Sequence, residues 1–172
     1  GDGVRLALNI GGMLLAFIAI ILALNWMLGG LGDLIGVNEA ITASSGGAYK
    51  GLSMEYLLGQ AFRLFAFLMG VSWQESLEVG SLLGKKMVLN EFLAYADLAS
   101  FKSAGALSEK AVLISTFALC GFANFSSIAI QIGGIGVMAE NRKSDLSQMG
   151  MRAMLAAFLA TMFTATIAGA IF

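Results

Sequence analysis

Lys85-Lys86-Met87-Val88-Leu89-Asn90-Glu91-Phe92-Leu93-Ala94-Tyr95 is a polar island in a chain that otherwise reads as membrane. A carboxylate at membrane depth costs about 2.5–3.5 kcal/mol even on the most permissive insertion scale. Glu91 is therefore expected to face a water-filled cavity, a partner or a ligand. Asn90-Glu91 stands where a second half-helix begins, and there the helix dipole and free N–H groups stabilise a carboxylate. A second island follows at Cys120-Gly121-Phe122-Ala123-Asn124-Phe125-Ser126-Ser127. Two separated sets of hydrogen-bonding groups in an apolar chain are what a transport site for a polar solute requires.

The surrounding chain is 58% hydrophobic and 12% charged, with a mean hydropathy of +0.84. Soluble domains carry about 25% charged residues, so this composition predicts an integral membrane protein. With 22 Gly and 0 Pro, the chain favours close helix packing and local unwinding where backbone approaches a ligand. The net charge of -1 says nothing about nucleic acid, but no basic stripe exists, so no nucleic-acid partner is expected. Cys120 is the single cysteine, which rules out an internal disulfide or a cysteine metal cluster. The 0 His count excludes histidine triads, metal sites and proton switches, so neither an enzyme nor a cofactor is expected. Opening on Gly1 without a signal-peptide pattern, the chain reads as the C-terminal piece of a longer polypeptide.

Residues 6–28 carry no charge and are long enough to cross a hydrocarbon core of about 30 Å. Residues 30–51 form a Gly-rich, weakly acidic loop through Asp33 and Glu39. Residues 52–71, interrupted by Glu55, Gln60 and Arg63, suit an interfacial amphipathic helix, with a short tilted crossing as the alternative. Residues 73–100 are too polar for a simple crossing and read as two half-helices meeting near 85–90. Such a re-entrant hairpin is allowed only where it is buried in protein or lines a cavity. Residues 111–139 predict a crossing broken at Gly121, Asn124 and Ser126-Ser127, with Gly133-Gly134 and Gly136 at its end. The last crossing lies within 147–172. The expected fold is thus an all-α membrane protein with three transmembrane helices (the first at 4–29), an interfacial helix and one re-entrant hairpin. Arg142, Lys143 and Arg152 place the loop before the last helix in the cytoplasm and Phe172 outside.

Several motifs fail on inspection. Gly80-Ser81-Leu82-Leu83-Gly84-Lys85-Lys86 is one residue short for a phosphate loop and has Lys86 where a Mg²⁺-binding hydroxyl belongs. Gly133-Gly134-Ile135-Gly136 follows a helix rather than a strand, so a dinucleotide fold is unsupported. Asn124-Phe125-Ser126 fits a glycosylation acceptor but lies in a predicted crossing. Glu91 itself has two readings, an ion pair with Lys85 or Lys86, or a ligand-binding carboxylate. Asn124, Ser126 and Ser127 fit interhelical contacts as well as a site, and Phe122 and Phe125 fit packing as well as a pocket wall.

Gly84-Lys85-Lys86-Met87-Val88-Leu89-Asn90-Glu91-Phe92-Leu93-Ala94-Tyr95 resembles the G-x-K-x-x-x-N-E-F-V-A-Y hairpin of the concentrative nucleoside transporter family. Phe117-Ala118-Leu119-Cys120-Gly121-Phe122-Ala123-Asn124-Phe125-Ser126-Ser127 resembles that family's A-L-C-G-F-A-N-x-S-S helix. Leu6-Ala7-Leu8-Asn9-Ile10-Gly11 and Ala165-Thr166-Ile167-Ala168-Gly169 agree as well, and Leu93 departs from the usual Val. The resemblance implies an ion-coupled nucleoside symporter of the cell inner membrane, multi-pass and homotrimeric. Residues 4–29 would be a scaffold helix, and the elements after it part of a moving transport domain. It implies that Glu91, Asn124 and Ser127 contact the ribose of nucleosides such as uridine, with Phe122 as a pocket wall. The family's first hairpin, with its G-Q-T-E-like motif for the base and the coupling ion (Na⁺ or H⁺), is missing from this sequence. The rival expectation is a non-transporting membrane scaffold or gate-type domain that assembles with partners.

Overall fold

The computed structural model describes residues 2–45, 47, 49–125, 127–128, 131–132 and 140–172. Among them every regular element is helical. The chain forms two compact units, Gly1–Leu57 and Leu58–Phe172. The expected end of the broken crossing, Gly133-Gly134 with Gly136, lies outside the described residues, as does Ser126.

In the first unit, α1 runs over Asp2–Leu34 and α2 over Asn38–Ser44. The sequence expectation placed a loop over 30–51, but helix continues through Gly29-Gly30 and resumes at Asn38. The stop falls at Gly36, whose φ of 73° is open to glycine without a Cβ penalty. Val37 N–H then reaches back to the Gly32 carbonyl at 3.0 Å, and Gly36 N–H to Asp33 at 3.2 Å, closing the helix end on itself. The axis turns by 101° between Ile18–Leu34 and Asn38–Ser44. Asn38 fixes this corner by donating to the Gly29 carbonyl at 2.9 Å while accepting from Leu52 N–H at 2.8 Å. A Cβ on Gly32 would lie 2.0 Å from the Asn38 amide oxygen, which is why glycine stands there. Asn25 accepts from Met54 N–H at 2.8 Å and donates to Glu55 at 2.8 Å, so it caps the next helix.

That helix, α3, spans Met54–Leu68. Its 15 residues reach about 22 Å, short of a hydrocarbon core about 30 Å thick. One face buries Gly59 and Ala66, whereas Leu64, Phe67 and Leu68 are exposed. Two helices follow, α4 over Ser76–Val88 and α5 over Glu91–Ser103, separated by Leu89-Asn90 alone. The pair is a helical hairpin stapled by an ion pair between Lys85 and Asp97. The phosphate-loop-like run of residues 80–86 lies inside α4. Gly80 is there for packing, since a Cβ would come within 2.5 Å of the Gly59 carbonyl on α3.

Next, α6 spans Glu109–Leu119, and the C-terminal helix, α7, spans Lys143–Ile171 after a short 3₁₀ turn at Glu140–Arg142. Ser108 caps α6 by accepting from Ala111 N–H at 3.2 Å. The Glu75 carboxylate, just before α4, accepts from Ser108 N–H and so aligns the starts of α4 and α6. Val79, Leu82, Leu83, Ala94, Leu98, Ile114, Ala118 and Phe158 pack into one core shared by α4 to α7. Ser144–Ile171 alone is long and apolar enough to cross a membrane by itself among the described residues, and 28% of its most apolar 18-residue stretch is buried within the chain.

Candidate functional site

Helical backbone stops at Leu119 and resumes at Phe125. Interrupting a helix strands the last four carbonyls, which then need other donors. All of Thr116 to Leu119 find one. The Tyr95 hydroxyl of α5 donates to Thr116 at 2.7 Å. Cys120 N–H takes the Phe117 carbonyl at 3.2 Å, and Gly121 N–H takes that of Leu119 at 2.8 Å. The Ala118 carbonyl accepts the Lys86 ammonium of α4 at 2.8 Å. A further tight bond from Ala123 N–H to the Gly121 carbonyl, 2.9 Å, keeps the segment compact rather than helical.

The far side of the break is closed by a reciprocal cap. Asn124 accepts from Ser127 N–H at 2.8 Å through its side-chain oxygen, and Ser127 Oγ accepts from Asn124 N–H at 3.3 Å. The same hydroxyl donates to the Asn124 carbonyl at 2.6 Å. Asn124 is 0% exposed and Ser127 3%. With its oxygen committed to the cap, Asn124 turns its amide NH₂ to Glu91, 3.0 Å away. Glu91 is half-buried at the first turn of α5, behind an Asn90 cap that accepts from Leu93 N–H at 2.9 Å. Two helix N-termini therefore converge on one carboxylate–amide contact, where both dipoles favour negative charge.

Glu91, Asn124 and Ser127 are thus brought together by hydrogen bonds. Among the described residues Glu91 hydrogen-bonds Asn124, Lys85 pairs with Asp97, and Lys86 hydrogen-bonds Ala118 and Thr161 while the Glu91 charge acts on its ammonium at longer range. Phe122 is half-exposed and lines a cavity of about 340 Å³ with Ser127, Gln131 and aliphatic residues of α7. Sequence reasoning did not find Lys86, Tyr95 or Thr161 at this place. Lys86 and Tyr95 act on backbone carbonyls far along the chain and Thr161 accepts from the distant Lys86 ammonium, and residue spacing carries no trace of such partners.

Residues 1–169 match the family profile described as "Na+ dependent nucleoside transporter C-terminus". An uncharacterised transporter of Bacillus subtilis is 47% identical over 97% of this chain and 38% of its own length. The human sodium/nucleoside cotransporter 1 is 38% identical, covering 98% of this chain and 26% of that protein. Among solved structures, CNTnw in an inward-facing substrate-bound state aligns with a TM-score of 0.85 at 37% identity, over 98% of this chain and 38% of that one. The chain spans well under half the length of these relatives. It belongs to the concentrative nucleoside transporter family and matches that family's C-terminal portion.

Proposed function

We propose that this chain provides the ribose-binding half of the site in an ion-coupled nucleoside symporter that works by alternating access. The observation that carries the reading is the contact between Glu91 and Asn124, 3.0 Å, at two converging helix starts beside a half-exposed Phe122. Ribose presents vicinal hydroxyl donors, and a carboxylate accepts them in charge-assisted bonds worth about 1.5–3 kcal/mol. Glu91 binds those hydroxyls, Asn124 and Ser127 complete the polar cradle, and Phe122 walls the cavity. The hairpin α4–α5 is re-entrant and the break after α6 lies near mid-membrane. The transporter is a multi-pass protein of the cell inner membrane, and α1 serves as scaffold in a homotrimer. Sodium or a proton drives the cycle from a site held mostly by the preceding part of the transporter. The names of the relatives support the sodium arm.

Radiolabelled uridine uptake by the whole transporter in transport-deficient bacteria tests this, wild type beside Glu91→Gln, with and without a sodium gradient. Saturable wild-type uptake is expected, with affinity weakened about 10- to 100-fold in the variant. Wild-type kinetics in Glu91→Gln would remove Glu91 from the site. No uptake of several nucleosides, with the protein confirmed in the membrane, would favour the scaffold reading.

A further inference from the structure

Lys86 is a cation with 0% exposure, yet it makes its hydrogen bonds to neutral groups. Besides the Ala118 carbonyl at 2.8 Å it donates to Thr161 Oγ1 at 3.1 Å, and Thr161 in turn donates to the Phe158 carbonyl at 2.8 Å. The ammonium also lies 5.7 Å from the centre of the Phe158 ring. One nitrogen atom thereby joins α4, the end of α6 and α7. In an unbroken helix the Ala118 carbonyl would accept from the N–H of Phe122. Lys86 supplies the donor that the break removes.

Its neighbours are cut to fit. A Cβ on Gly121 would sit 3.6 Å from the ammonium and 2.3 Å from the Thr161 methyl, so glycine keeps the break close against both. The hairpin consequently holds the break on either side, Lys86 before it at Ala118 and Glu91 after it at Asn124. Burying a lysine only for stability is a poor use of a charge, because an apolar residue of similar volume often stabilises as well.

We infer that Lys86 is a positioning residue of the substrate site: by replacing the missing backbone donor at Ala118 it sets the spacing of Asn124 against Glu91. The inference rests on the nucleoside reading above. Its test is uridine uptake by the whole transporter carrying Lys86→Met, which keeps the length and removes the donor, alone and combined with Glu91→Gln. KM and Vmax are taken per molecule in the membrane. Lys86→Met is expected to raise KM roughly tenfold, and to add under about threefold once Glu91→Gln is present, because both changes act on one contact. A purely structural lysine would lower abundance or Vmax and leave KM at the wild-type value, which overturns the inference. Independent, multiplying effects on KM overturn it too. If Lys86→Met fails to accumulate, Thr161→Val removes one partner of the ammonium without removing the charge. There a KM rise of about threefold supports the inference, and an unchanged KM defeats it. A wild-type transporter that takes up no nucleoside overturns the functional reading, and this inference with it. Uptake weakened by Glu91→Gln but not by Lys86→Met overturns this inference alone.

Discussion

The ends of α5 and α6 stop a helix in two different ways. After α5, Gly105 takes a φ of 66°, Ala106 N–H returns to the Phe101 carbonyl at 3.0 Å and Gly105 N–H to Lys102 at 3.1 Å. That end is closed by its own backbone and asks nothing of the rest of the chain. Gly121 holds the same place past α6 but does not adopt the left-handed backbone. Two of the four stranded carbonyls there depend on side chains from the hairpin, Tyr95 and Lys86. A self-closed end can be moved anywhere in a fold. An end closed by a neighbour's side chains ties its shape to that neighbour, which suits a place where two elements must jointly hold a solute.

The largest expected effect comes from cutting the far side of the break. Asn124→Ala removes both the cap and the amide that reaches Glu91. The two contributions, about 1 kcal/mol for the cap and about 1.5–3 kcal/mol for the charge-assisted bond, predict a loss of nucleoside affinity of roughly 70- to 900-fold if both are felt at the site. Equilibrium uridine binding to the purified transporter reads it, and a loss smaller than about fivefold would break the proposed link between break and site.

Gly105→Ala probes the self-closed end. A Cβ there meets nothing within 4 Å, so the penalty is the left-handed backbone alone, about 1–2 kcal/mol of stability. The melting temperature is expected to fall while uridine affinity stays put. A changed affinity would show that this end is coupled to the site after all. Tyr95→Phe is the mildest change. It deletes one donor to an exposed carbonyl, with an expected cost of about 0.5–1.5 kcal/mol and a shift in uridine affinity of a few-fold. An effect as large as that of Asn124→Ala would mean that Tyr95 itself touches the solute.

The positions of the two islands were legible because polar residues in an apolar chain are conspicuous. Leu89-Asn90 divides the hairpin where sequence placed the meeting of half-helices, and Gly121 to Asn124 divides the next helix. Helix α2 was not legible, since four glycines between Gly29 and Gly36 all offered a stop and only the last one is used. The contact between Glu91 and Asn124 came within reach through a family resemblance, not through spacing. The hydrogen bond from Lys86 to Ala118 was not legible for a physical reason. Sequence offers Glu91 as the nearby opposite charge for this cation, whereas the stranded carbonyl that takes its ammonium appears only once the helix is broken.

The most direct measurement compares uridine with 2′,3′-dideoxyuridine binding to the whole transporter, in the wild type and in Glu91→Gln. If Glu91 accepts the ribose hydroxyls, the wild type prefers uridine by about 10- to 100-fold and the variant loses most of that preference. An undiminished preference in Glu91→Gln would contradict the account, because the hydroxyls would then be read by some other group.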